Sequence, residues 1–419
     1  MIYNATIYND SWNTKKLKEL GDFSRGKSKH RPRNDPELFN NGTYPLVQTG
    51  DIKAATLHIA KHEQSYNEFG LSQSKLWPTG TLCITIAANI AETGILAYPM
   101  CFPDSIVGFT ANHTETSELF MHYVFTYIRQ SIQNSVSGSI QNNINIEYLK
   151  SLDFKIPEKP YQDKIVAVLS NLDEKIELNL KICSELKSMA KTLYDYWFVQ
   201  FDFPDENGNP YRTSGGAMKW NEQLKREIPK EWGVGNLYNI ADFINGLACQ
   251  KFRPKDGENA LPVIKIKEMH DGITAETEQV SENIPTKHKI YDGDILFSWS
   301  ATLEVMYWYG GIGGLNQHIF KVNPKSYFPK EYVYEQLSSY IVNFIKLAEA
   351  RKTTMGHITT DHLEQGKIPL PPESLLNQFT EKIRPIHQKI GQTKQENCVL
   401  TKLRDWLLPM LMNGQARVE

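Results

Sequence analysis

Across residues 161–200 the apolar residues Ile165, Leu169, Leu172, Ile176, Cys183, Leu186, Ala190, Leu193 and Trp197 recur by fours and threes, and Asn179 fills a polar place in the series. A seam of this spacing, sustained for more than four heptads, predicts a coiled-coil helix. A second segment repeats it with Phe379, Ile383, Ile386, Ile390, Leu400, Leu407 and Leu411; Thr393 stands where Asn179 stands in the first, and Asn397 where Cys183 does. Polar residues near the middle of a seam fix register, which favours a paired coiled coil. Two amphipathic helices packed separately on their own domains would show the same periodicity, so that arrangement stays open.

The segments ahead of the helices are also written twice. Residues 12–26, WNTKKLKELGDFSRG, align without a gap on residues 232–246, WGVGNLYNIADFING: Trp12, Leu17, Asp22, Phe23 and Gly26 meet Trp232, Leu237, Asp242, Phe243 and Gly246. Further on, YPLV (residues 44–47) resembles LPVI (261–264), and the strand-like GTLCIT (80–85) resembles GDILFS (293–298). Each copy closes alike, with Ile144, Leu149, Phe154, Ile156 and Pro157 against Ile358, Leu363, Ile368, Leu370 and Pro371. The predicted organisation is a domain at 1–157, a helix at 158–200, a linker at 201–231 rich in Gly, Asn and Pro, a domain at 232–371, a helix at 372–413 and a tail at 414–419. Since helix one ends at domain two and helix two starts there, the second can only run back, giving an antiparallel pair. The fold class expected is α+β, two globular α/β domains separated by two long antiparallel coiled-coil helices with a pseudo-two-fold internal repeat. A helix of about 35 residues is on the order of 50 Å long, more than the roughly 34–36 Å of one DNA turn.

Composition narrows the class less than the repeat does. The 419 residues carry a formal net charge of −2, so binding to nucleic acid would have to rest on local patches. The five cysteines are scattered without a C-x-x-C pair, and there is neither a signal peptide nor a run long enough to span a bilayer, so a reducing, cytoplasmic setting and no membrane are expected. One stretch, GDFSRGKS at 21–28, fits the phosphate-loop pattern G-x-x-x-x-G-K-[ST]. A true loop of that kind follows an apolar strand and opens a helix. Here the preceding residues are rich in lysine, Pro32 and Pro36 follow, and the second copy has Ala241, Leu247 and Ala248 where Gly21, Lys27 and Ser28 stand. A nucleotide-hydrolysing enzyme built on residues 21–28 is therefore the rival reading, and a scaffold that binds proteins without reading bases is another. His58 and His62 have helical metal-pair spacing but no third ligand, so no metal is expected. Trp299, Tyr307, Trp308 and Tyr309 suit either base stacking or a strand core.

The run LYDYWFVQFDFPDENGNPYRTSGGAMKWNEQLKREIPKEWGVGNL, residues 193–237, and GDILFSWSATLE, residues 293–304, resemble the specificity subunit of type I restriction-modification systems. The likeness spans essentially the whole chain in the order recognition domain, spacer helix, recognition domain, spacer helix. It implies a non-catalytic DNA-binding subunit that assembles with two methylation subunits and with restriction (endonuclease/translocase) subunits. It further implies reading of a split double-stranded DNA target, one half per domain. No cofactor is expected on this chain, which lacks an [NDS]-P-P-[YF] element; S-adenosylmethionine is expected on the partner methylation subunit. No catalytic residue is expected.

Candidate DNA contacts follow from side-chain chemistry, since cations set register on phosphates while Asn, Gln and Arg read base edges. Behind the first repeated turn stand Arg25, Lys27, Lys29, His30, Arg31 and Arg33, and behind the second Lys251, Arg253 and Lys255. Polar loops ahead of the closing strands supply Ser137, Ser139, Gln141, Asn142 and Asn143 in one copy and Arg351, Lys352, Thr353, Thr354 and His357 in the other. A third set, residues 87–92 and 300–304, follows the matched strands and is part groove-facing, part structural. For any single cation a solvated loop remains the alternative.

Overall fold

Both heptad segments are helical. The computed structural model describes residues 4–87, 89–137, 144–300, 302–350 and 360–418. Its long helices are α1 (Glu118–Ser137), α2 (Lys159–Tyr194), α3 (Lys330–Ala350) and α4 (Glu373–Met412). α2 carries Pro160 in its first turn, where a missing N–H costs nothing. It ends in a π turn over Asp195–Val199, in which Gln200 N–H donates to Asp195 O at 2.8 Å. Contacts divide the chain into two units, Met1–Leu178 with Val399–Glu419, and Asn179–Cys398. Both divisions fall inside α2 and α4, so each unit owns one stretch of each helix.

In the first unit, Asn13–Lys16 pairs antiparallel with Asp153–Ile156, a helical turn follows at Leu17–Leu20, and Gly21–Arg25 enters a five-stranded sheet. Its order is Gly21–Arg25, Ile106–Ala111, Leu82–Thr85, Thr93–Leu96 and His58–Ile59. Leu82–Thr85 is buried along its whole length, as its apolar run requires of a strand covered on both faces. α1 covers one face with Phe120, Tyr123, Val124 and Phe125 against Leu17, Leu82, Ile84 and Phe109. A smaller sheet is ordered Gln64–Tyr66, Tyr44–Leu46, Met100–Cys101 and Leu76–Trp77.

The second unit repeats this plan, with one strand fewer in its larger sheet, where nothing among the described residues answers to His58–Ile59. Gly233–Asn236 pairs with Lys367–Leu370, Leu237–Ile240 is the helical turn, and a sheet runs Ala241–Asn245, Ile319–Pro324, Ile295–Ser298 and Glu304–Tyr307. Its smaller sheet is ordered Gln279–Ser281, Ala260–Ile264, Gly313–Leu315 and Lys289–Ile290. The α+β repeat expected from the sequence is thus present in strand order and pairing. Tyr307 is a buried strand residue and Trp308, just past the strand's end, is buried too, while Trp299 and Tyr309 are partly buried.

The helices pair antiparallel. In the second unit Asn179 Nδ2 donates to Asn397 Oδ1 at 2.8 Å and to Glu396 Oε2 at 2.9 Å, and Cys183 Sγ lies 3.8 Å from Ile390 O, so numbers rise on α2 as they fall on α4. The seam is only partly the one its apolar spacing suggested. Ile165, Leu169, Ile176, Asn179, Phe379, Ile383 and Ile390 are buried, whereas Leu172, Leu186, Leu193, Ile386, Leu400 and Leu407 are half-buried. Polar residues take inner places beside them: Asp173, His387 and Thr393 are buried. Both arrangements left open by the periodicity coexist, because Ile165 and Leu169 also belong to the first unit's domain core and Phe379 and Ile383 to the second's.

The segment read as a Gly, Asn and Pro-rich linker has structure of its own. Met218–Asn221 and Arg226–Pro229 form an antiparallel hairpin, and Phe201, Phe203 and Ile228 join the second unit's core. Trp232 packs edge-on against Phe201 and stacks on Phe203, with ring centroids 5.2 and 5.5 Å away.

Candidate nucleic-acid interface

The repeated turn begins where a strand leaves the larger sheet. Gly21–Arg25 is a strand paired residue for residue with residues 107–111, and the residues directly after it form no helix, so the phosphate-loop pattern at 21–28 is not a phosphate loop. The glycine that matters is the one at the strand's end. Gly26 N–H donates to Ile106 O at 2.9 Å, and a Cβ there would sit 2.3 Å from Phe102 O; Gly246 N–H donates to Ile319 O at 3.1 Å, and a Cβ there would sit 2.0 Å from Asn316 O. The two backbones approach too closely for any side chain, which is why both copies keep glycine at this step.

That turn presents the candidate cations. Arg25, Lys27, Lys29, Arg31 and Arg33 are all exposed. Lys27 N–H and Lys29 N–H are tied to Phe102 O and Gln73 O at 3.2 and 3.1 Å, holding the backbone while the side chains stand free. Arg33 pairs with Asp104 at 2.6 Å, Arg31 lies 3.8 Å from the same carboxylate and donates to Ser28 O and His30 O, and His30 pairs with Asp35 at 2.8 Å. The hydrogen bond from His30 holds the Asp35 carboxyl below its ordinary range. The turn therefore splits into Arg31 and Arg33, already engaged in shaping the loop, and Arg25, Lys27 and Lys29, which form no ion pair among the described residues. Asp104, invisible to a search for cations, divides them.

The second unit builds the same place with other residues. Leu247 N–H donates to Leu315 O at 2.8 Å, a single turn covers Cys249–Lys251, and Cys249 is buried with its Sγ 3.6 Å from Leu315 O. Lys251, Arg253 and Lys255 project from this support, exposed and without an ion pair among the described residues. Lys255 N–H is held by Glu258, whose carboxyl, also bonded by Ser281 and Asn283, is lowered from its ordinary value.

Ser139, Gln141, Asn142 and Asn143 lie outside the described residues, as do Arg351, Lys352, Thr353, Thr354 and His357. Of the third set, Ile90 and Ala91 are core residues of the first unit, and Glu92 pairs with Arg129 of α1 at 3.0 Å, so that loop is largely structural. His58 and His62 are not a helical pair: His58 starts a short strand and bonds Glu177 at 2.9 Å, and His62 bonds Tyr98 at 2.7 Å.

With this geometry in place, the comparisons with known proteins agree. The model of the type I restriction modification DNA specificity domain matches twice, at residues 9–188 and 229–400. The specificity subunit of the type I restriction enzyme MjaIX of Methanocaldococcus jannaschii is 25% identical over 424 residues, covering 97% of this chain and 94% of that one. The corresponding HindI subunit of Haemophilus influenzae is 25% identical over 360 residues, 72% of this chain and 75% of that one. Among solved structures, the type I restriction-modification S subunit from M. genitalium shares the fold with a TM-score of 0.55 at 16% identity, covering 98% of this chain and 99% of that one. The chain belongs to the type I restriction-modification DNA specificity family and carries that family's DNA-specificity domain twice.

Proposed function

We propose that this chain is the non-catalytic reading subunit of a type I restriction-modification complex. The domains at 1–157 and 232–371 each read one half of a split double-stranded target. The observation that carries this is the duplication itself: the same strand, turn and cationic loop occur twice, each on its own stretch of an antiparallel helix pair. Exposed cations without acidic partners neutralise phosphates, and base-edge readers then select sequence. The chain positions duplex DNA for two partner methylation subunits, which hold S-adenosylmethionine and act on an adenine turned out of the stack. Restriction subunits join the same assembly, in the cytoplasm; no helix among the described residues is long and apolar enough to cross a membrane.

The test is a DNA-binding titration of the assembled methylation complex carrying Lys251→Ala, Arg253→Ala and Lys255→Ala together. Binding should weaken about equally on matched and mismatched second half-sites, and the slope of log affinity against log salt should fall by roughly 0.9 for each phosphate that is no longer neutralised. An unchanged slope would remove these residues from the interface. Indifference of the parent complex to sequence would favour the protein-binding scaffold instead.

A further inference from the structure

Each domain's long helix meets a spacer helix through a buried polar contact, and the two contacts are chemically different at equivalent places. In the first unit Tyr123 of α1 donates its hydroxyl to Asp173 of α2 at 2.7 Å, and Arg404 of α4 reaches the other oxygen of Asp173 at 2.9 Å. Tyr123 and Asp173 are each 1% exposed. In the second unit Glu335 of α3 bonds His387 of α4 at 2.9 Å, and the other ring nitrogen of His387 lies 3.1 Å from the Tyr307 hydroxyl. Matching the buried Phe120 and Phe125 of α1 to Tyr332 and Leu337 of α3 sets Tyr123 on Glu335, and matching Ile176 to Ile390 sets Asp173 on His387. One turn further along the spacer helices the copies differ again. Glu177 accepts from the His58 side chain and from Leu57 and His58 N–H, while Gly391 leaves room for the Tyr309 ring, whose hydroxyl a Cβ there would approach to 2.6 Å.

We propose that these contacts are a pairing code that docks each reading domain on its own spacer helix and not on the other. The second domain seated on α2 would bring Glu335 against Asp173, two buried carboxylates, and Tyr309 against Glu177 where it needs glycine. Like charges that share a dry site cannot both ionise, and removing a buried charge's partner is strongly destabilising. The first domain seated on α4 would lose the anion that His58 grips. Tyr123, Asp173, Glu335 and His387 are thus positioning residues for target reading: they decide which reader stands at which place, and so the order of the two half-sites. The reader role rests on the function proposed above, but the docking code can be measured without DNA.

The experiment is a rescue in the full chain. His387→Asp sets a carboxylate against Glu335 and should lower the second unit's melting temperature by roughly 6–15 °C. Adding Glu335→Tyr removes the second carboxylate and offers the new one a hydroxyl, as Tyr123 does for Asp173 but without a counterpart of Arg404; a neighbouring cavity of about 190 Å³ lined by Tyr334 and His387 admits the ring, and part of the loss should return. Glu335→Tyr alone leaves no acid pair and should cost less than His387→Asp. A His387→Asp chain as stable as the parent, or one that Glu335→Tyr fails to rescue, would overturn the code. A functional arm replaces residues 1–157 by a second copy of 232–371. Complexes of this chimera should methylate a symmetric target only when Asp173→His and Glu177→Gly accompany it. Equal methylation with and without those two changes would refute the code, while stability rescue without any split target would refute only the reader role.

Discussion

At the scale of single residues, the contact between His58 and Glu177 shows how charge state and docking are linked. The hydrogen bond that His58 donates to Glu177 raises the His58 pKa above its ordinary value. Burial alone would raise Glu177, but the bonds it receives from His58 and from the backbone bring it below its ordinary value. A raised histidine contributes stability that is fully present below its unfolded pKa, about 6.5, and lost as pH rises through the folded value; a lowered carboxylate contributes above about 4.3 and loses its contribution as pH falls. The pair is therefore worth most between these limits. Glu177→Gln should destabilise the chain most near about pH 5–6 and progressively less as pH rises above about 6.5 in denaturant titrations, and a penalty independent of pH would show that the ion pair contributes nothing. The turn glycines give a second expectation at this scale. Gly246→Ala, with its Cβ 2.0 Å from Asn316 O, and Gly26→Ala, 2.3 Å from Phe102 O, should each cost about 1–3 kcal/mol in urea unfolding. Gly50→Ala, in the helix Thr49–Ala54 with nothing within 4 Å, should be neutral or stabilise by up to about 1 kcal/mol.

At the scale of elements, the helix pair is held by polar residues as much as by its apolar seam. Arg404 is paired with a carboxylate that is 1% exposed, so Arg404→Met should cost about 3–5 kcal/mol by leaving Asp173 buried and unpaired. Joining Asp173→Leu to it should recover part of that loss, since replacing both charges by apolar residues is often near neutral while the buried Tyr123 hydroxyl is left without its acceptor. A double variant no more stable than the single one would place the energy elsewhere. This is also where the sequence was least legible. Counting apolar positions finds Leu172, Ile386 and Leu407, but the helix faces turn so that Asp173, His387 and Leu408 are buried. A polar side chain that finds its partner on another helix leaves no periodic trace. The strands were easier, because Leu82–Thr85 and Ile295–Ser298 are buried on both faces and read as unbroken apolar runs in both copies. The turn was legible through its repetition: a glycine kept at Gly26 and Gly246 while Lys27 became Leu247 marks a backbone constraint and not a phosphate site. Which cations are free was not legible, because it depends on Asp104, far along the chain from Arg31 and Arg33.

For the chain as a whole, the proposed function is that of two readers and a ruler. Removing one heptad from α2 and the matching heptad from α4 shortens the pair by about 10 Å, roughly three base pairs of duplex. The gap in the target should shrink while both half-site sequences stay as they were; altered half-sites with an unchanged gap would mean that the helices do not measure. The most direct test of the reading role is to co-express this chain with its methylation subunit in an unmethylated host and map N6-methyladenine across the genome. One split motif is expected, two short specific halves around a constant gap, of which only one half changes when residues 1–157 are exchanged. Methylation at an unsplit motif, or none with a methylation subunit shown to be folded and cofactor-bound, would contradict that role.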